Sequence, residues 1–439
     1  MKFNKFYFFP ISIFFGLVIY FFMFILNVIN PDYSFGNPQL CVELVQYRLN
    51  LLDLSFKYPY SCDENFYYTG FEEFSKVFEE TYNYQARPLY IFGGYVSFKI
   101  TDFVINFINP SFEYTTQLST FLYQLMIINS IVYIFYLSLK EKVKITNFDY
   151  FVFLIIIMIN PIYKWGIFVP SHQTATLLLI AFFIYFASRE MVVVDRNISL
   201  LFGLFFLFHR SFLISFLALI LYKNMDKIFK IETYFKNLRY LIYFLLPNII
   251  YESFIRFILQ RPTYDANTEY WGQFVWLYDF LRGKVRYQSE WHCVTIPENF
   301  ICYFNDLKQM IMYILIPILL IGVILIVNIF SERKKYPLIK EVLFISISLF
   351  SFWSLIGWYP PIRFNFYSVG HMVTMILLIF YISEKKGLLK SLILVSVISA
   401  YIFIPHWNTP EIVIDTGIFS IVSIVLISLF SILKLLERK

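Results

Sequence analysis

The stretch ILIPILLIGVILIVNI, from Ile314 to Ile329, decides the fold class of this chain because it is apolar almost throughout and carries no charge. A membrane-spanning strand would alternate apolar and polar residues over about ten positions, and this stretch does not alternate. A helix rises about 1.5 Å per residue and crosses the roughly 30 Å hydrocarbon core in about 20 residues. The pattern therefore predicts a transmembrane helix near residues 309–330.

The rest of the chain has the same character. Apolar residues make up 59% and charged residues 15% of its 439 residues, whereas soluble domains have about 45–50% and 25%. The chain also lacks a Walker A loop, a GxGxxG motif after a strand and a basic nucleic-acid patch, which argues against nucleotide-driven transport and nucleic-acid binding. We predict one all-α polytopic integral membrane domain over residues 1–439, without a cofactor.

The positive charges predict how the helices are oriented. The first apolar segment, Phe6 to Val28, follows Lys2 and Lys5 and is too long for a signal-peptide core, so we expect it to remain as an anchor. Lys and Arg in short loops are retained on the cytoplasmic side of a membrane. We expect both termini of this chain to lie on that side as well. The basic clusters are Lys140/Lys142/Lys144, Arg189/Arg196, Lys223/Lys227/Lys230/Lys236/Arg239, Arg333/Lys334/Lys335/Lys340, Lys385/Lys386/Lys390 and Lys434/Arg438/Lys439.

Keeping every cluster in the cytoplasm gives about twelve membrane helices. The predicted spans are 7–28, 115–138, 149–163, 167–187, 238–259, 309–330, 342–358, 366–383, 391–405 and 416–436. The segment 198–222 has cytoplasmic charges at both ends, so we predict a short hairpin that turns at His209-Arg210. Lys99 and Asp102 interrupt 88–108, which we expect to lie as an amphipathic helix in the outer interface.

Two large extracytoplasmic loops follow from this topology, 29–114 and 260–308, and each contains two of the four cysteines. Cys41 with Cys62 and Cys293 with Cys302 are disulfide candidates, because the outer compartment is oxidising. The alternative is four unrelated apolar cysteines. Neither pair has the spacing of a zinc or iron–sulfur site, so we predict no metal.

The order of motifs on the outer face points to a family. The acidic run Cys62-Asp63-Glu64-Asn65-Phe66-Tyr67-Tyr68 precedes Arg87-Pro88-Leu89-Tyr90, and an apolar hairpin from Leu201 to Leu221 carries Arg210 at its tip. This order resembles the GT-C superfamily of membrane glycosyltransferases, and within it the protein-mannosyltransferase-like enzymes. These enzymes take a sugar from a polyprenyl-phosphate carrier. The family often has a second acidic residue where this chain reads Val169-Pro170-Ser171-His172-Gln173.

The resemblance implies a GT-C-like fold and roles for individual residues. A general base would deprotonate the acceptor, with Asp63 the first candidate, then Glu64 and then Asp32. Arg210 and Arg363 would hold the phosphate at the level of the outer headgroups, since cations must meet the charge of the leaving group. The other substrate-binding candidates are Arg87, His172, His209, Tyr359 and His371. The acceptor would be a glycan, a lipid or a protein, and the chain would lie in a bacterial inner membrane.

Other interpretations of the same residues remain open. The acidic run also suits a solvated loop, both arginines suit anchors at the headgroups, and the histidines suit structural roles. A polymerase or ligase of the O-antigen type would share the donor, and so would a transporter or flippase of lipid-linked glycans. A non-catalytic subunit with the GT-C shape is a further alternative.

Overall fold

A computed structural model describes residues 48–51, 54–57, 64–79, 85–112, 115–139, 170, 174–189, 193–227, 230–261 and 338–355. This part of the chain is mostly helical. The strands are β1 (Arg48–Leu51) and β2 (Leu54–Lys57). The helices are α1 (Glu64–Glu72), α2 (Pro88–Ile108), α3 (Thr115–Leu139), α4 (Ala175–Ala187), α5 (Arg196–Phe206), α6 (Phe212–Lys223), α7 (Ile231–Ser253) and α8 (Ile339–Leu355). Short 3₁₀ turns cover Phe74–Phe78 and Met225–Lys227, and a π-helical turn covers Phe254–Ile258.

The described residues also contain a short β-hairpin, which the sequence analysis did not predict. Its strands pair antiparallel, from Arg48 opposite Lys57 to Leu51 opposite Leu54. Polar and apolar residues alternate along both strands, and this period of two favours a strand over a helix. The hairpin falls inside the predicted outer loop 29–114, where water can bond the edges of a sheet that hydrocarbon would leave unsatisfied.

Three helices are long and apolar enough to cross a membrane: Pro88–Ile108, Thr115–Leu139 and Asn237–Ile258. Two of them match the predicted spans 115–138 and 238–259 to within one residue. Helix α4 begins later than the predicted 167–187, and α8 lies close to the predicted 342–358. The other predicted spans lie outside the described residues.

The predicted hairpin at 198–222 is present as two short helices, α5 and α6, which are separated by a turn that contains His209 and Arg210. Asp195 caps the first of them, because its Oδ1 accepts a hydrogen bond of 2.8 Å from Ile198 N. The eleven residues of α5 rise only about 16 Å, roughly half of the hydrocarbon core. The break therefore lies where the charges predicted it, and the return of the hairpin to the cytoplasmic side stays a prediction.

Basic residues from two predicted cytoplasmic clusters lie at one end of the helices. Lys223 Nζ, at the end of α6, donates a 2.6 Å hydrogen bond to the carbonyl of Arg189, which follows α4. Arg196 begins α5 and Lys230 precedes α7. The His209-Arg210 turn is at the opposite end of α5 and α6, so the helices have a basic end and a turn end.

The outward faces of the helices are apolar. On α2, Phe103 is 78% and Phe107 is 88% exposed, and patches of this kind on a protein surface mark contact with lipid or a partner. Lys99, Asp102 and Asn106 follow at spacings of three and four residues and form a separate polar stripe on the same helix. A helix with adjacent apolar and polar faces suits the lipid–water boundary, and the interfacial position of α2 stays a prediction.

Candidate functional site

The amino end of α2 and the turn between α5 and α6 lie together. The amide of Leu89 donates to the carbonyl of Leu207 at 3.3 Å, and the Tyr90 ring meets the edge of the Phe208 ring at 5.5 Å between centroids. These contacts join the Arg87-Pro88-Leu89-Tyr90 motif to the hairpin tip. Two sequence elements that resemble the glycosyltransferase pattern, 120 residues apart in the chain, are therefore neighbours in the structure.

Arg87 is held at this junction by its place in the chain. Pro88 begins α2, where its fixed φ suits the first helical residue, and Arg87 precedes the helix in a half-buried position. Arg87 Nη1 lies 3.4 Å from the hydroxyl of Tyr67 in α1. Since α1 begins at Glu64, directly after Asp63, the contact ties Arg87 to the helix that contains most of the acidic run.

His209 is buried in the turn beside Arg87. Its side chain is only 5% exposed, and the ring is neutral because one of its nitrogens accepts a hydrogen bond from the backbone. The amide of Ser211 donates to Nδ1 of His209 at 3.2 Å. The proton of the neutral ring is then on Nε2, which makes that nitrogen a hydrogen-bond donor.

Arg210 continues the turn and reaches α7. Its Nη1 donates a 2.9 Å hydrogen bond to Oδ1 of Asn248, and Nδ2 of Asn248 donates a 2.8 Å bond to Oε1 of Glu252. The guanidinium carbon lies 4.6 Å from the centroid of the Phe206 ring. Arg210 therefore has specific polar and aromatic contacts inside the protein, beyond the headgroup anchoring considered from the sequence.

Arg210 contacts α7 near the middle of a candidate membrane span. Its partner Asn248 is twelfth among the 22 residues of Asn237–Ile258, close to the midpoint of that candidate span. Tyr90 bonds to Gln124, the tenth of the 25 residues of α3. A helix as short as α5 carries the turn only part of the way along its longer neighbours. The position of Arg210 at the outer headgroups stays a prediction.

A buried polar chain supports Tyr90. Thr174 Oγ1 donates to Oε1 of Gln124 at 2.8 Å, and Nε2 of Gln124 donates to the hydroxyl of Tyr90 at 2.7 Å. The Tyr123 hydroxyl also donates to the Tyr90 carbonyl at 2.8 Å. These bonds join α2 and α3 to the residue that precedes α4, and they satisfy groups whose burial would otherwise be costly.

Aromatic rings and two glycines surround this chain. Tyr67, Phe71, Tyr90 and Tyr123 pack with ring centroids 5.4 to 6.4 Å apart. A Cβ atom at Gly94 would overlap the ring of Phe71, and a Cβ atom at Gly93 would overlap that of Tyr123. Both glycines, adjacent in an otherwise apolar helix, thus permit the close approach of α1 and α3.

Sequence reasoning missed the contribution of α7. It treated 238–259 only as a span, although Asn248, Tyr251 and Glu252 are polar residues within an apolar run. The Tyr251 hydroxyl is buried and has no hydrogen-bond partner among the described residues. The spacing of four residues between Asn248 and Glu252 was the available signal, because such residues share a helix face.

The remaining predicted site residues lie elsewhere in the chain. Glu64 begins α1, and Asp63 immediately precedes it, outside the described residues. Also outside them are Asp32, His172, Tyr359, Arg363, His371, Cys41, Cys62, Cys293 and Cys302. Over the described ranges, no group of three or more His, Cys, Asp or Glu side chains is arranged to hold a metal ion.

The structure thus brings together Arg87, His209 and Arg210 and adds Tyr67, Asn248 and Glu252 to them. The turn that carries His209 and Arg210 is at the end of α5 and α6 away from the basic residues. Searches against family models, curated proteins and solved structures found no match to this chain. The likeness to the GT-C superfamily therefore rests on the order of its sequence motifs.

Proposed function

We propose that this protein is a membrane glycosyltransferase that moves a sugar from a polyprenyl-phosphate carrier to an acceptor on the extracytoplasmic face. The observation that carries the proposal is the contact between the Arg87 motif and the His209-Arg210 turn. It supplies two guanidinium groups and a neutral imidazole donor beside the helix that follows Asp63. Arginine suits phosphate because its planar donors match two phosphate oxygens at once.

The reaction requires a base, an electrophilic carbon and a stabilised leaving group. The acceptor oxygen bonds to the anomeric carbon, and the bond from that carbon to the phosphate oxygen breaks. The acceptor proton passes to a carboxylate, for which Asp63 remains the first candidate and Glu64 and Asp32 follow. Polyprenyl phosphate leaves with one more negative charge, which Arg87 and Arg210 would stabilise, while His209 would donate a hydrogen bond from Nε2.

The topology is consistent with an extracytoplasmic reaction. The basic end of α4, α5, α6 and α7 suits the cytoplasmic side by the positive-inside rule, and the turn with Arg210 is at the other end of α5 and α6. A bacterial inner membrane would supply both the polyprenyl carrier and this orientation. In this proposal Arg363 also holds the carrier phosphate, and its aromatic neighbours, including Tyr359, line the entry of the isoprenoid chain.

A flippase of lipid-linked glycans is the second candidate, and the depth of Arg210 favours it. Transporter sites commonly lie near the bilayer midplane, and Asn248, the partner of Arg210, is near the midpoint of its candidate span. The two functions differ in one bond. A transferase breaks the bond between sugar and phosphate, and a flippase leaves it intact.

The test uses the purified protein in proteoliposomes with a polyprenyl-phosphate sugar labelled in the sugar. The proposal expects labelled acceptor and free polyprenyl phosphate in equal amounts from the parent. It expects little product from Arg210→Ala, an intermediate amount from Arg210→Lys, and full activity from Arg196→Ala, which removes the same charge at the basic end. Movement of intact donor across the bilayer without cleavage would favour the flippase, and equal product from Arg210→Ala and the parent would reject the phosphate site.

A further inference from the structure

The charge of Arg210 needs an explanation because of where it lies. It follows the apolar helix α5, and its partner Asn248 lies well inside an apolar span. A single arginine at the centre of a membrane helix costs about 2.5–3.5 kcal/mol or more, so such residues are paired or face a polar cavity. The chain from Arg210 through Asn248 to Glu252 ends in a carboxylate, which is a group able to balance that charge.

We infer that Glu252, acting through Asn248, is a positioning residue that orients the guanidinium of Arg210 toward the carrier phosphate. The inference rests on the proposed function for its ligand and goes beyond it by naming the residues that prepare the site. Asn248 is suited to the connection, because its carbonyl oxygen accepts from the arginine while its amide group donates to the carboxylate. The two bonds together fix which way the amide points.

The same contacts fix the arginine. The bond from Nη1 to Asn248 sets the direction of the side chain, and the Phe206 ring on one face sets the plane of the guanidinium. Because the group is planar, the directions of its other N–H donors follow from these two constraints. A donor group that is already oriented binds phosphate with less loss of conformational freedom on binding.

Glu252 supplies charge in addition to a hydrogen bond. Its carboxylate lies one helical turn from Asn248 on the same face of α7 and bonds to the residue that accepts from Arg210, so in this proposal its charge acts on the cation through Asn248. Glu252→Gln keeps an oxygen that can accept from Asn248 but removes the charge. Glu232→Gln is the matched control, since Glu232 is exposed in the first turn of the same helix, about 30 Å from Glu252.

The experiment measures binding of a polyprenyl monophosphate and of the matching polyprenol, which lacks the phosphate, to the full chain in lipid nanodiscs. We expect Glu252→Gln and Asn248→Ala to raise the Kd for the monophosphate about tenfold, which corresponds to about 1.4 kcal/mol. Binding of the polyprenol should not change in either variant. Glu232→Gln should bind both lipids as the parent does.

The double variant Asn248→Asp with Glu252→Gln tests the charge even where a single variant folds poorly. It keeps the hydrogen-bond chain and the net charge and moves the carboxylate next to the arginine, so the monophosphate Kd should return to within about threefold of the parent. Parent-like phosphate affinity in both Glu252→Gln and Asn248→Ala would overturn the positioning role, provided that Arg210→Ala loses phosphate affinity. A parent protein that binds the two lipids equally well would instead overturn the proposed function, and the positioning role with it.

Discussion

Replacing Gly203 with alanine should separate α5 from α7 and disturb the site at the end of that contact. A Cβ atom at position 203 would overlap the carbonyl oxygen of Phe244 and lie 3.1 Å from Cδ of Pro247. The Phe244 oxygen belongs to the backbone of a helix, so it cannot rotate out of the way as a side chain would. Relief requires α5 and α7 to move apart, and the Arg210–Asn248 bond spans the same two segments.

The magnitude follows from three contributions. Alanine is favoured over glycine by about 1 kcal/mol in a helix interior. Overpacking costs about 1–3 kcal/mol, and loss of a hydrogen bond to a charged group costs about 1.5–3 kcal/mol. When the gain in helix propensity is subtracted from the sum of the two costs, the free energy of unfolding should fall by about 1.5 to 5 kcal/mol.

Thermal unfolding of the purified protein in detergent measures this effect, with Leu204→Ala as the control. Leu204 is the next residue of α5 and is 46% exposed, so its truncation should change the Tm little. Gly203→Ala should lower the Tm by several degrees and weaken binding of the polyprenyl monophosphate. Equal Tm values for Gly203→Ala and the parent would refute the close approach of the two helices.

Three further outcomes are expected. Tyr90→Phe removes the hydroxyl to which Gln124 donates, so calorimetry should show a loss of about 1–3 kcal/mol in unfolding free energy. Tyr95→Phe is the control, and an equal loss in that variant would contradict the prediction. His209→Ala removes the ring nitrogen to which the amide of Ser211 donates, so the unfolding free energy should fall by about 1–3 kcal/mol. An unfolding free energy equal to that of the parent would contradict the buried, hydrogen-bonded position of His209. A cysteine at Lys227 should react with an impermeant maleimide only after the cells are opened, and labelling in intact cells would reverse the topology.

The sequence predicted well the helices that are long runs of apolar residues. Helix α3 and the span within α7 are long apolar runs between polar flanks, so their limits could be located to within one residue. The break at His209-Arg210 could be predicted because basic residues flank the apolar segment on both sides. Helix α1 and the β-hairpin were not predicted, since short elements in a polar loop lack a strong periodic signal.

The sequence identified individual residues of the candidate site, but it did not identify how these residues are arranged in space. Arg210 was identified because a charge within an apolar run is costly unless it has a partner. Arg87 was identified from its motif, and His209 as a candidate donor to sugar or phosphate. Their partners were not identified, because Tyr67, Gln124 and Asn248 meet them only through packing between elements distant in the chain. A sequence pattern reports which residues share a face of one helix, and it does not report which faces of two helices meet.

The depth of the site is the feature that best separates the two proposed functions. If Asn237–Ile258 crosses the bilayer upright, Asn248 lies about 15 Å from either end of the span. A carrier phosphate bound to Arg210 must then sit well below the headgroups, which requires a water-filled cleft open to one side. A transferase needs that cleft open only to the outside, where the acceptor enters, whereas a flippase needs it open to each side in turn. Accessibility of a cysteine at Tyr251, beside Asn248, to impermeant reagents from the outside alone would therefore support transfer, and accessibility from both sides would support flipping.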